Sequence, residues 1–280
     1  MTTALRLTAA SAPLTHQVDV LDEFGATRRI SIPAERALTV FVDNRELVTL
    51  MTLGASPELL VLGYLRNQRL VDSAADIESI TVDWEVEAAA VKTRAGIERF
   101  DEKTAKRVVT TGCGQGTVFG DLMGEIDSIR LPAVDDPAAR ISQRTLYGLL
   151  DKMRLQDSTY KSAGSVHGCA LFRQDDLLTF VEDVGRHNAI DTIAGWMWLH
   201  GVTGEDKIFY TTGRLTSEMV IKSAQMGVPI IVSRSGITEM GHRLAQQLGL
   251  ALFGRATNRH FFCYSGLERF DSQPEGRPPG

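Results

Sequence analysis

From residue 177 to residue 253 the sequence switches repeatedly between short apolar runs and segments with helical spacing, and this alternation constrains the fold more than any other feature. Residues 177–181, 207–211, 229–233 and 250–253 read as strands. Between them, Asn188 is a good cap for a helix whose apolar positions Ala189, Ile190, Ile193, Ala194, Met197 and Trp198 trace one face. Glu218 and Lys222 pair at i,i+4 on the next helix, and Gly249 stops a third after Leu248. Strands alternating with helices predict an α/β fold: a largely parallel sheet with helices on both faces.

The first half is less regular. Residues 1–30 are polar without sustained periodicity, which predicts a flexible segment. Residues 39–44 read as a strand entering a turn, Ser56-Pro57-Glu58 opens a helix, and residues 77–86 alternate as a half-buried strand does. A short strand at 107–111 runs into Gly112-Cys113-Gly114-Gln115-Gly116. Residues 120–160 are charged and turn-rich, with Pro132 and Pro137, and fit a boundary or flexible connection holding a helix at 140–155. The expected division is a flexible segment at 1–30, a smaller α+β region at 31–135 carrying the Cys113 loop, an α/β ligand-binding domain at 136–270 and a flexible tail at 271–280.

Composition narrows the functional classes. A net charge of −5 argues against a general nucleic-acid binder, which carries a basic field. No apolar run approaches the ~20 residues that span a bilayer, and the N-terminus lacks the apolar core of a signal peptide. Three cysteines, at 113, 169 and 263, lie too far apart for a structural zinc site. Their odd count and wide gaps read as a reducing compartment, so cytoplasm is the expectation.

Arg186, Arg214, Arg234 and Arg255 each follow the carboxyl end of an expected strand, the end where open α/β sheets hold ligands. Guanidinium groups gathered there, beside glycine-rich turns and helix N-termini, make an anion site for a phosphorylated ligand. Any one of them alone reads better as a surface residue or as a partner of Glu182 or Asp183; four in register favour the site. Cys113 between two glycines is placed for exposure, and nearby N–H groups or arginines would favour its thiolate. Cys169 and Cys263 have apolar neighbours and read as small buried hydrophobes. Gly112, Gly114 and Gly116 resemble a dinucleotide loop poorly, because Thr117 stands where G-x-G-x-x-G requires glycine. His167, His187 and Glu182 offer no compact ligand pair, so no metal site is expected. H-x-E and P-C-x-x-C, which a zinc deaminase needs, are both absent.

The block Glu182-Asp183-Val184-Gly185-Arg186-His187-Asn188-Ala189-Ile190-Asp191 resembles the signature of the formate dehydrogenase accessory sulfurtransferase family (FdhD/NarQ). Residues 213–220 with Lys222, Ser233-Arg234-Ser235 with Thr238, and 252–264 continue the likeness in order. Upstream, Glu35, Thr49-Leu50-Met51, Gly63-Tyr64-Leu65 and Thr111-Gly112-Cys113-Gly114 join it, so the resemblance covers about residues 30–270.

The resemblance implies a cytoplasmic homodimer with a cytidine-deaminase-like domain. It implies that a cysteine desulfurase supplies persulfide sulfur, which passes to the molybdenum bis-molybdopterin guanine dinucleotide cofactor of the formate dehydrogenase catalytic subunit. A guanine nucleotide is then a partial mimic of the cargo. Cys113 falls on the first cysteine of the family's Cys-Gly-x-Cys loop and becomes the expected persulfide carrier; Gly116 replaces the second. The family's basic cofactor stretch falls on Arg255, Ala256, Thr257, Asn258, Arg259 and His260, and its Glu-Gly after the first helix is Asn67-Gln68. A cofactor-holding chaperone without sulfur transfer remains an alternative, motivated by Gly116, and a nucleotide-dependent oxidoreductase is a third.

Overall fold

The computed structural model describes residues 4–97 and 126–273. The strands are β1 (Arg6–Leu7), β2 (Thr15–Leu21), β3 (Thr27–Pro33), β4 (Arg36–Val42), β5 (Arg45–Thr52), β6 (Ile77–Asp83), β7 (Ala88–Thr93), β8 (Ile141–Ser142), β9 (His167–Arg173), β10 (Asp176–Asp183), β11 (Lys207–Thr211), β12 (Ile230–Ser233), β13 (Ala251–Thr257), β14 (His260–Ser265) and β15 (Phe270–Asp271). The helices among the described residues are α1 (Pro57–Asn67), α2 (Gln143–Leu155), α3 (Thr159–Ala163), α4 (Arg186–Leu199), α5 (Ser217–Gln225) and α6 (Glu239–Leu248). They form two compact units. The described part of unit 1 is residues 4–97, 157–168 and 181–202; that of unit 2 is 126–156, 169–180 and 203–273.

Unit 1 holds a five-stranded sheet in the order β1-β6-β7-β4-β5, while β2 and β3 pair as a separate antiparallel hairpin. Strands β4 and β5 turn at Asp43-Asn44, whose φ angles of 46° and 69° match the twist of a tight hairpin. Leu38, Val40, Val42, Leu47 and Leu50 point from these strands into a core completed by Leu60, Val61, Leu62, Tyr64 and Leu65 of α1. Helix α1 packs on α4 at backbone distance. A Cβ on Gly63 would lie 1.6 Å from the carbonyl oxygen of Asp191, and one on Gly195 would lie 2.0 Å from that of Leu59.

In unit 2 the middle strands β11, β12 and β13 are parallel neighbours. One face of the sheet carries Phe172, Ile208, Tyr210, Ile230, Val232, Ala251 and Phe253, packed with Leu146, Leu149 and Leu150 of α2. Helices α5 and α6 connect successive parallel strands and so lie together on the opposite face, where Met219, Val220, Leu244 and Ala245 are buried.

The α/β expectation holds, and four details change. The sheet is parallel only at its centre: β9 runs antiparallel to β11, and β14, joined to β13 by a two-residue turn rather than a crossover helix, runs antiparallel to β13. The division is not linear, since α4 and residues 157–168 belong to unit 1; helix α4 needs α1 to bury its second face.

The segment expected to be loose at 1–30 carries β1, β2 and part of β3. Its backbone is tied down by Trp84 Nε1 donating to the Ala10 carbonyl at 2.5 Å and by Glu58, which accepts from Thr8 Oγ1 at 2.6 Å and Ala10 N at 2.7 Å. The hairpin is mostly exposed, and its alternation is confined to Val18-Asp19-Val20 and Ile30-Ser31-Ile32, too short to stand out among the polar residues around it.

Residues 132–139, expected as a connection, are pinned instead. The Arg269 side chain, 1% exposed, donates to the carbonyls of Pro132 (2.6 Å), Ala133 (3.1 Å), Ala139 (3.3 Å) and Gly249 (2.8 Å). The helix expected at 140–155 is present as α2, capped by Ser142, whose Oγ accepts from Thr145 N at 3.0 Å.

Candidate cofactor-binding rim

Three of the four arginines lie in unit 2. Arg214 follows β11 by three residues and Arg234 follows β12 directly, both exposed. Arg255 does not follow β13 as expected; it lies within it, at a break in the β13–β14 register and with φ of 51°. That left-handed conformation, uncommon for arginine, exposes Arg255 while Ala256 turns into the core. Adjacent strands lie about 4.8 Å apart, so the three arginines start from neighbouring strands at one end of the sheet.

Hydrogen bonds lace the loops that carry them. Arg234 N donates to the Thr211 carbonyl at 3.0 Å, and Arg255 N to the Ser235 carbonyl at 2.8 Å. Ser233 Oγ donates to the Gly213 carbonyl at 2.7 Å and accepts from Ser235 N at 2.9 Å. Thr211 Oγ1 accepts from Gly213 N at 3.0 Å and from Cys169 Sγ at 3.3 Å. The backbone is therefore set before any ligand arrives, while the guanidinium groups reach solvent. Helices α5 and α6 begin at this same end, the latter with Thr238 Oγ1 accepting from Gly241 N at 3.2 Å. Their N-terminal partial charges add to the anion preference.

The hydroxyls of Thr211 and Ser233 escaped the reading of the sequence. Their signal was available: each is the last residue of its strand, three residues ahead of Arg214 and one ahead of Arg234.

The basic stretch divides by position. Ala256 is a core residue. Thr257 and His260 pair across the hairpin, whose turn is Asn258-Arg259, and Thr257, Asn258, Arg259 and His260 are exposed. The Arg259 guanidinium stands over the Tyr147 ring at 4.9 Å, a second partner that the sequence did not reveal. Glu218 and Lys222, expected as an i,i+4 pair on the helix, are paired and buried, with Nζ 3.6 Å from Oε1.

In unit 1 the signature block is a structural hub. Burial pushes the Asp183 carboxyl pKa up, against four donors that favour the carboxylate. These are Thr52 Oγ1 at 2.5 Å, Asn188 Nδ2 at 2.8 Å, and the amides of Leu53 and Gly185, both at 3.3 Å. Asn188 Nδ2 also reaches the Met51 carbonyl at 2.6 Å. The block thus grips the Thr49-Leu50-Met51 stretch that accompanied it in the sequence. Helix α4 starts at Arg186 rather than after Asn188, because Asn188 spends its side chain on Asp183 and Gly185 takes the cap position. Arg186 is consequently buried, 5% exposed, in the first turn of α4. Glu182 accepts from Thr159 N at 2.5 Å and Tyr160 N at 3.1 Å, at the start of α3. Asn67 Nδ2 donates to buried Asp191 at 2.6 Å.

Cys113 lies outside the described residues. Cys169 is buried as expected, and Cys263 is half-buried, with burial pushing its thiol up to about 11. Among the described residues no group of three metal-ligating side chains comes together, and no helix is long and apolar enough to cross a membrane.

Known proteins resemble this chain in sequence and fold. A sulfur carrier protein FdhD from Bacillus licheniformis is 32% identical over 235 residues, covering 84% of this chain and 88% of the relative. Its counterpart from Listeria innocua is 30% identical over 242 residues, covering 85% and 91%. A crystal structure of a protein described as a formate dehydrogenase accessory protein, from Desulfotalea psychrophila, superposes with a TM-score of 0.72. It is 23% identical and covers 92% of this chain and all of its own, which establishes the fold. The family profile matches residues 33–271, and the chain belongs to the FdhD/NarQ family.

Proposed function

We propose that this protein is a cytoplasmic sulfur carrier. It takes persulfide sulfur from a cysteine desulfurase on Cys113 and passes it to the bis-molybdopterin guanine dinucleotide cofactor of a formate dehydrogenase catalytic subunit. The observation that carries the cofactor half of this reading is the laced rim, with Arg214 and Arg234 just past the carboxyl ends of β11 and β12 and Arg255 within β13, its amide bonded to the Ser235 carbonyl. Exposed guanidinium groups on a fixed backbone suit the pyrophosphates of that cargo. The name shared by the relatives supports the sulfur half. Arg259 and the hairpin residues Thr257, Asn258 and His260 complete the proposed contact set in unit 2; Arg186, buried in unit 1, is not part of it. We propose a homodimer, as in the resemblance.

In the loading step the Cys113 thiolate attacks the outer sulfur of the desulfurase persulfide. One S–S bond forms, one breaks, and the donor cysteine leaves as a thiolate, so no outside electrons are needed. Gly116 excludes a two-thiol relay within the loop; one thiolate suffices.

Intact-protein mass spectrometry after incubation with an active desulfurase and cysteine tests the loading. The wild type should gain about 32 Da, one sulfur atom, and Cys113→Ala should not. Full maturation of formate dehydrogenase by Cys113→Ala would overturn the carrier reading and leave the cofactor-holding chaperone.

A further inference from the structure

We propose that Ser233 is a positioning residue. Its hydroxyl joins the loops after β11 and β12, so that Arg214 and Arg234 hold an anion as one clamp rather than as two separate charges. The proposal rests on the rim being a phosphate site. Thr211 and Ser233 end neighbouring parallel strands and lie opposite each other in the register. Each turns its hydroxyl back on its own loop. Thr211 Oγ1 accepts from Gly213 N at 3.0 Å, and Ser233 Oγ accepts from Ser235 N at 2.9 Å. The two loops thus leave the sheet through the same side-chain-to-backbone turn.

Ser233 also reaches across to the other loop, where its Oγ donates to the Gly213 carbonyl at 2.7 Å. A hydroxyl can donate and accept at once, so one side chain fixes the backbone just before Arg214 and just after Arg234. The loops stay paired on either side of this link. Arg234 N donates to the Thr211 carbonyl at 3.0 Å before it. After it, Leu215 N donates to the Gly236 carbonyl at 3.0 Å, Thr238 N donates to the Leu215 carbonyl at 3.1 Å, and Leu215 and Ile237 form a parallel bridge.

Ser233 is fully buried while Arg214 and Arg234 are exposed, so the link acts from beneath and does not itself meet a ligand. Arginines on two independent loops lose their freedom separately when an anion binds. On joined loops most of that ordering is complete before binding. Each arginine then depends on the other being in place, and their contributions to affinity are coupled.

Calorimetric titration of the full chain with GDP tests the coupling through a double-mutant cycle. Arg214→Gln and Arg234→Gln should each weaken GDP about tenfold, and the double variant should lose clearly less than the product of about a hundredfold. Ser233→Ala should weaken GDP about tenfold, and in that background the two arginine substitutions should simply multiply. Ser233→Thr keeps the hydroxyl and should restore affinity and coupling. Ser223→Ala is the control for stability: Ser223 is as buried and donates to the Met219 carbonyl at 2.9 Å within α5. It should lower the Tm without changing GDP affinity. Wild-type affinity and coupling in Ser233→Ala, or an equal loss of GDP affinity in Ser223→Ala, would overturn the positioning role and leave the rim standing. The full product in the wild-type background would overturn the clamp whatever the serine variants do. No GDP binding to the wild type would overturn the rim and the clamp together.

Discussion

The Asp183 carboxylate accepts the Thr52 hydroxyl at 2.5 Å, joining residues 131 positions apart. This bond ties the end of β10 to the end of β5 and sets the start of α4. Asp183→Ala leaves four buried donors without their acceptor, and a bond to a charged group contributes about 1.5–3 kcal/mol. Denaturant unfolding should show a loss of about 3 kcal/mol for Asp183→Ala and about 1–2 kcal/mol for Thr52→Val. The double variant should lose less than the sum. Strict additivity would show that the two residues do not act as a unit.

Gly63 and Gly195 let two helix backbones touch. Gly63→Ala raises helix propensity by up to about 1 kcal/mol, yet its methyl group has no room beside the Asp191 carbonyl. The expected net effect is a loss of about 1–3 kcal/mol through overpacking, read as a lower Tm. A Tm at or above that of the wild type would mean that α1 and α4 are not in backbone contact.

Arg269 donates to four carbonyls and is nearly sealed from solvent. Arg269→Met fills similar volume but leaves those carbonyls unmatched, for an expected loss of about 3 kcal/mol. Proteolysis should then cut sooner within residues 132–139, and an unchanged cleavage pattern would argue against the pin.

Arg214 and Arg234 are exposed, so Arg214→Gln and Arg234→Gln should change stability by no more than about 0.5 kcal/mol. Nucleotide affinity should drop, and it should depend less steeply on salt than in the wild type. Affinity that ignores both the substitutions and the salt would remove the rim from the binding site.

The Cys263 thiol, pushed up to about 11 from an ordinary 9.0, carries about a hundredfold less thiolate at pH 8 than an unperturbed cysteine. Iodoacetamide labelling followed by peptide mass spectrometry should find it slow, with a rate rising about tenfold per pH unit until the pH nears 11. Rapid labelling of Cys263 at pH 8 would make it a competing sulfur acceptor.

Much of this was legible in the chain. Alternating strands and helices announced the α/β class, Asp43-Asn44 a turn, and residues 140–155 the helix α2, because each rests on local periodicity or turn chemistry. Arg214 and Arg234 were legible too, since a residue just past a parallel strand needs only the strand's own end to be placed. Arg255 was misjudged: a bulge depends on the partner strand β14, which a local reading does not contain. The β2–β3 hairpin is not legible because its alternation, Val18-Asp19-Val20 and Ile30-Ser31-Ile32, spans only three residues in each strand.

Residue order therefore accounts for the elements, for the family and for the arginine spacing, all of which depend on neighbours within a few turns of chain. Folding in three dimensions decided the rest. It drew α4 into unit 1 through Gly63 and Gly195, buried Arg186 within a helix turn, and laid Arg259 over Tyr147, 112 positions away. Contacts of that range form when buried surface and hydrogen-bond satisfaction are met across the whole chain at once, and local propensity carries no record of them.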